Sequence, residues 1–214
     1  MRARGPLEPL ALAVQRLRAG ISSADRLIIL VRPAGGDPPQ RADELRCVRA
    51  THADAEDYAR AVGTDSPRTF RERLTDTTWC YLVRARGSIV HATWCTTSAA
   101  WTRELRAHLA PPPRDAYVYE SLTLPAVRGQ GVYPFALSAI AADLGRSGIG
   151  QVWVAVEASN RPSLRAVEKA GFEPHSEIGF RRRWGRVTVD PPRSDDPTGL
   201  TIAIELPRSG PGRP

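Results

Sequence analysis

Apolar and polar residues alternate along this chain with two different periods. From Leu10 to Leu17 the apolar residues recur with Gln15 and Arg16 among them, which predicts a short amphipathic helix stopped by Gly20. Glu8 and Pro9 interrupt the segment before it, which argues against a signal peptide. Arg26 to Arg32 is a β-rich run closed by Pro33 and Gly35-Gly36, and Asp37 to Gln40 reads as a linker. Leu45 to Thr51 predicts a strand, and Thr51 with Asp54 three positions on starts a helix to about Val62. Ser66-Pro67 opens another helix, Arg68 to Leu74. Trp79 to Arg84 and Ile89 to Thr96 predict a hairpin turning at Arg86-Gly87-Ser88. Thr97 to Leu109 reads as partly helical, ended by Pro111 to Pro113.

Ala116 to Leu124 is again strand-like, and Val132 to Leu144 is a helix with Gly145 and Gly148 at its end. Gln151 to Val156 is a short strand of the kind buried on both faces. Arg161 to Ala170 is a helix with Asn160 as N-cap, Pro162 in its first turn and Gly171 just past its end. Glu177 to Val189 and Thr201 to Leu206 read as final strands, separated by a polar Pro-rich loop, Pro191 to Pro197. Ser209 to Pro214 reads as a disordered tail. This order describes a mixed α/β (α+β) sheet, not a doubly wound parallel one.

The length, 214 residues, suits one well-buried domain. No apolar run approaches the ~20 residues that span a bilayer. The net charge of +7 invites a nucleic-acid or membrane partner, but its distribution argues otherwise. Residues 1–40 carry +3 and residues 181–214 carry +3, leaving +1 for the 140 residues between. Of the 30 basic residues 29 are Arg, the exception being Lys169, which suggests a bacterial-like host with GC-rich coding. A phosphate-tracking surface usually mixes Arg and Lys and interleaves aromatics. Cys47, Cys80 and Cys95 are an odd number without metal-ligand spacing, and read as free buried thiols of a cytoplasmic protein. His52, His91, His108 and His175 are isolated from one another, so no metal site is expected. The five Trp read as core or sheet-face residues. On a strand, Arg181 and Arg183 share a face opposite Arg182, either as a solvated edge or as a contact for an anionic ligand.

The stretch from Leu122 to Tyr133 carries the chemistry. A strand ends, Gly129 and Gly131 bracket a turn, and a helix begins. Glycines let backbone amides converge unobstructed, and the helix start adds the positive end of its dipole. With Arg128 beside it, this is either a pyrophosphate cradle or a tight turn with a glycine at each bend.

A second segment, about thirty residues on, bears on that choice. Arg128-Gly129-Gln130-Gly131-Val132-Tyr133, introduced by Pro125, is followed by Asn160-Arg-Pro-Ser163-Leu164-Arg-Ala-Val167-Glu168-Lys169-Ala-Gly171-Phe172. Both motifs, in this order and separated by the strand Val152 to Glu157, resemble those of the GCN5-related N-acetyltransferase superfamily. The resemblance covers roughly residues 45–185. It implies a mostly antiparallel central sheet with helices on both faces and a V-shaped splay between two central parallel strands. The expected organisation is an added helix and strand over 1–40, an acyltransferase domain over 41–207 and a tail over 208–214.

The resemblance also implies a donor, acetyl-CoA or another acyl-CoA or acyl-phosphopantetheine, lying in the splay. Leu122, Thr123 and Leu124 would give backbone groups to pantetheine and an N–H to the thioester oxygen. The amides of Gly129, Gln130, Gly131, Val132 and Tyr133 would hold the pyrophosphate, Arg128 would lie beside it, and Asn160 and Ser163 would lie near the pantetheine arm. An amine would attack the thioester directly, after a base removes its proton. Glu120 is the candidate base, its other reading being a strand carboxylate paired with an Arg. Strand parity puts Tyr117 and Tyr119 on one side and Glu120 on the other. The family's last Gly/Ala of the first motif is Tyr133, whose side chain must turn away from the phosphates. Many relatives carry a thiolate-protonating Tyr where this chain has Val167, which leaves Tyr133, Ser163 or water for that role, or a reaction that needs no acid. The leading expectation is acetyl transfer to the primary amine of a small molecule, by a monomer or homodimer with no nucleic-acid or membrane partner. The alternatives are a donor on an acidic acyl carrier protein, and a catalytically silent acyl-CoA-binding or partner-binding module.

Overall fold

The two apolar runs, Leu27 to Val31 and Val152 to Val156, are apolar throughout because the strands they form are covered on both faces. The computed structural model describes residues 22–37, 45–184, 186–190 and 201–203. The strands are β1 (Ser22–Pro33), β2 (Leu45–Arg49), β3 (Thr78–Ala85), β4 (Ser88–Thr96), β5 (Ala100–Thr102), β6 (Ala107–Ala110), β7 (Ala116–Thr123), β8 (Gln151–Glu157), β9 (Glu173–Arg183), β10 (Arg186–Val189) and β11 (Thr201–Ala203). The helices are α1 (Ala55–Ala61), α2 (Pro67–Arg73), α3 (Val132–Arg146) and α4 (Arg161–Lys169). Eight strands form one sheet in the order β10-β9-β1-β8-β7-β4-β3-β2, and β11-β6-β5 form a small second sheet.

In the large sheet only the β7–β8 pair is parallel. One face carries α3 and α4: Leu137, Ile140, Leu144, Leu164 and Val167 pack on Leu30, Val118, Val154 and Val156. The other face is divided. Tyr58 of α1 and Phe70 of α2 cover Leu82 and Trp94, while Leu105, Ala107 and Leu109 cover Leu27, Ile29, Tyr117, Trp153 and Phe180. The helix starts follow local chemistry. The Asp54 carboxylate accepts from Thr51 N at 2.8 Å ahead of α1, and Ser66 Oγ accepts from Thr69 N at 3.1 Å with Pro67 opening α2.

Three expectations change. Thr97 to Leu109 contains a β-hairpin and no helix. Leu105 and Leu109 have helical spacing, but Leu105 sits in the turn, where Arg106 takes a φ of 51°. Ala100, Thr102, Ala107 and Leu109 alternate inward onto the sheet while Trp101 is 47% exposed. The stretch Glu177 to Val189 is two strands, turning beside Trp184, which has a φ of 51° and is 73% exposed. Two of the five Trp therefore lie outside the core. β1 belongs to the stretch read as an extension outside the acyltransferase-like domain, yet it is an interior strand between β8 and β9. The expected helix Leu10 to Leu17, the loop Pro191 to Pro197 and the tail lie outside the described residues.

Candidate active site

β7 and β8 pair over three positions only, Ala116↔Val152, Tyr117↔Trp153 and Val118↔Val154. Beyond them each strand keeps its other neighbour. Leu27 to Ile29 of β1 pair with Ala155 to Glu157, and Ala92 and His91 of β4 pair with Leu122 and Thr123. The sheet therefore opens between Tyr119–Thr123 and Ala155–Glu157, and backbone groups on the facing edges have no cross-strand partner there. This is the expected splay.

The opening starts at a bulge. Tyr119 pairs with Trp94 and Leu122 with Ala92, so Glu120 and Ser121 together oppose Thr93. Glu120 takes a φ of 47°, in the left-handed region that a residue with a Cβ rarely adopts. The bulge overturns the parity argument. Arg73 of α2 bonds Glu120 and lies 5.9 Å from the Tyr119 ring centroid, so the two side chains lie on the same face.

Arg73 and Asp65 join the candidate site, and sequence reasoning did not single them out. Arg73 Nη1 meets Asp65 Oδ2 at 2.6 Å, Nη2 meets Glu120 Oε2 at 2.7 Å, and the guanidinium lies 3.9 Å from the Trp94 ring centroid. Burial disfavours its charge, yet hydrogen bonds to Glu120 and Tyr119 hold its pKa above the ordinary value. Nothing in the local pattern of α2 marks Arg73 among the Arg residues around it, since its partners come from a loop and a strand.

A second polar group lies under the start of α3. Thr93 and Ser121 hydroxyls bond each other, and His91 Nδ1 lies 2.8 Å from Thr123 Oγ1. The rings of His91 and Tyr133 stack at 5.4 Å. Tyr133 therefore does turn down onto the sheet and away from the turn above it. Burial raises its pKa, with the Ser121 hydrogen bond acting in the opposite direction. Burial also pushes the His91 imidazole down to about 3, and its Nε2 meets no hydrogen-bonding partner among the described residues. The sequence marks His91 only as a lone histidine in a strand.

The glycine turn retains most of its expected donors. Gly131, at a φ of 77°, is the N-cap of the fifteen-residue α3, and Gly129 has a φ of 78°. A Cβ on Gly129 would meet nothing within 4 Å, so the turn opens on free space. Val132 and Tyr133 head the helix, where no intrahelical carbonyl reaches their amides. The Gln130 amide is spent on Val127 O at 3.4 Å, and its side chain braces Ala126 O at 3.2 Å. Leu124 is committed as well: its N–H donates to Val90 O at 3.0 Å and its carbonyl accepts from Val127 N at 3.1 Å. Strand alternation therefore turns Thr123, not Leu124 or Leu122, toward the splay, and there Arg128 Nε donates to its carbonyl at 3.1 Å. Leu122, Leu124 and Gln130 thus drop out as amide donors to a ligand: the first two face β4, and the Gln130 N–H is spent inside the turn. These open amides beside an exposed Arg128 fit a diphosphate.

Asn160 caps α4, its Oδ1 accepting from Ser163 N at 3.3 Å. Both residues stand where β8 ends, across the opening from the glycine turn. Val167 is fully buried against the core, with no hydroxyl at that turn of α4. Glu120 and Tyr133 are not brought together: they lie on opposite faces, reached from the adjacent bulge residues Glu120 and Ser121. Arg182 pairs with Glu157 at 3.0 Å and Arg181 with Asp190 at 3.5 Å.

Among solved structures, the chain is similar to a GCN5-related N-acetyltransferase from Kribbella flavida, with a TM-score of 0.51 and 17% identity, covering 80% of this chain and 62% of that one. It is also similar to a functionally unknown conserved protein from Staphylococcus epidermidis, with a TM-score of 0.51 and 10% identity, covering 84% and 67%. An aminoglycoside acetyltransferase from an uncultured soil metagenomic sample aligns at a TM-score of 0.48 and 11% identity, covering 60% and 88%. No family model and no curated protein matches the chain. A mixed sheet with one parallel junction, opened beside a glycine turn at a helix start, is therefore the fold of the GCN5-related N-acetyltransferases.

Proposed function

We propose that this chain is an N-acyltransferase that moves an acyl group, acetyl first of all, from acyl-CoA to the primary amine of a small molecule. The observation that carries the reading is the opening between β7 and β8 directly before the glycine turn. The donor supplies an acyl thioester. The amides of Gly129, Gly131, Val132 and Tyr133 hold its diphosphate, with Arg128 as counter-charge and Asn160 and Ser163 across the gap. The Thr123 backbone faces the pantetheine arm and the developing oxyanion. On the α2 face, Glu120 takes a proton from the acceptor ammonium, directly or through water, and so frees the amine lone pair for attack. The amine adds to the thioester carbonyl, the C–S bond of the tetrahedral intermediate then breaks, and the proton still carried by the acylated nitrogen passes through water to the leaving thiolate.

The test is release of free thiol from acetyl-CoA with a panel of primary amines. Glu120→Gln is expected to lower turnover about a hundredfold while leaving acetyl-CoA affinity unchanged. Thiol release from no acyl-CoA with any amine would sink the reading. Release only from an acylated carrier protein would move the donor to that class. Unchanged turnover in Glu120→Gln would remove the base assignment.

A further inference from the structure

Glu120 presents a problem that the chemistry proposed above does not solve. A left-handed residue with a Cβ in the middle of a strand is disfavoured, and such outliers persist only where surrounding groups over-determine them. The carboxylate is also half-exposed, and an exposed pair alone would hold it weakly. Arg73 supplies what is missing. It stands at the last position of α2, with a side chain 23% exposed. One guanidinium nitrogen is fixed by Asp65, a second reaches Glu120, and the flat face rests on Trp94. Trp94 is itself immobile: it is fully buried, its Nε1 donates to Tyr58 Oη at 3.1 Å, and its ring packs edge-on to Phe70 at 5.4 Å. The Tyr119 ring lies beside Arg73, with its centroid 5.9 Å from the guanidinium carbon. Only Oε2 of Glu120 is engaged, and Oε1 bonds no described residue.

We infer that Arg73 is a positioning residue, anchored by Asp65 and Trp94, that holds Glu120 in the bulge with one carboxylate oxygen fixed and the other left for the acceptor amine. The inference rests on the acyl-transfer reading for its purpose, and on the geometry alone for the clamp. Arg is required because only a planar fork bonds two carboxylates while stacking on an indole. Lys keeps the charge without the fork.

A double-mutant cycle in the full chain tests it, with Arg73→Gln, Glu120→Gln, the double variant and Arg73→Lys. Turnover and thermal stability are both read. If Arg73 acts through Glu120, Arg73→Gln lowers kcat about tenfold or more with acetyl-CoA affinity unchanged, and adds nothing once Glu120 is Gln. Arg73→Lys recovers part of the loss. In melting temperature, Glu120→Gln is destabilising in the native background and neutral in Arg73→Gln. Multiplicative kcat losses, or a loss in Arg73→Gln confined to acetyl-CoA affinity, would overturn the assignment. So would a melting-temperature effect of Glu120→Gln that is equal in both backgrounds. A native chain that acylates no amine but shows the stability coupling would uphold the clamp and overturn the acyl-transfer reading.

Discussion

His91 lies buried between Thr123 and the Tyr133 ring, and protonating it would place a charge that no carboxylate among the described residues answers. Its pKa in the fold, about 3, lies below the ordinary value of about 6.5. Between the two values the unfolded chain binds the proton and the folded chain does not. The stability that neutral His91 contributes is therefore present above about 6.5 and is lost as pH falls toward 3. Thermal unfolding followed from about pH 7 to about pH 5 is expected to show a falling melting temperature, with a shallower fall in His91→Gln. Parallel curves would show that this imidazole titrates elsewhere. Gly129 offers a different residue-level test. Its φ of 78° disfavours a Cβ by about 1 kcal/mol, and that Cβ would enter the free space over the turn. Gly129→Ala is expected to fold with slightly lower stability and to bind acetyl-CoA more weakly by calorimetry. Undiminished affinity would show that the diphosphate lies elsewhere.

Among the elements, β1 changes the account most. It is hydrogen-bonded to β8 through seven residue pairs from Leu27 to Pro33, and it joins β9 to the sheet on its other side. Ile28 and Leu30 face the helices while Leu27 and Ile29 face the small sheet. Leu30→Ala is expected to cost about 2–5 kcal/mol in urea unfolding, as for a large side chain removed from a closed core. A chain beginning at residue 38 is expected to lose the dispersed amide spectrum of a folded protein, because β8 and β9 would each expose a long apolar edge. A folded truncated chain would show that another segment can take the place of β1. The β5–β6 hairpin matters in a different way: it covers Tyr117 and Trp153 next to the opening, so its register shapes that side of the cleft.

In the whole molecule, α3 and α4 both begin at the open end of the β7–β8 junction, while α2 brings Arg73 to the opposite face of the same strand. Under the proposed function, donor and acceptor sites would be divided between the two faces of one sheet. Acetyl-CoA binding to the folded state alone is expected to raise the melting temperature, by the equivalent of about 2.7 kcal/mol at a hundred times its Kd. Absence of any shift would argue for another donor. Much of this was legible in order along the chain. Gly129 and Gly131, Asn160 with Pro162, Ser66-Pro67, and the apolar runs of β1 and β8 mark their structures because turns, caps and burial patterns act over a few neighbouring residues. What lay beyond the sequence depends on residues far apart in it. Alternation assigned Glu120 to the wrong face because one extra residue opposite Thr93 shifts every side chain after it. The partly helical reading of Thr97 to Leu109 failed because the burial of Leu105 and Leu109 is set by the sheet beneath them. β1 passed for an appendage because its partners begin more than a hundred residues later, and Arg73 gained its role only when folding brought Asp65, Trp94 and Glu120 around it.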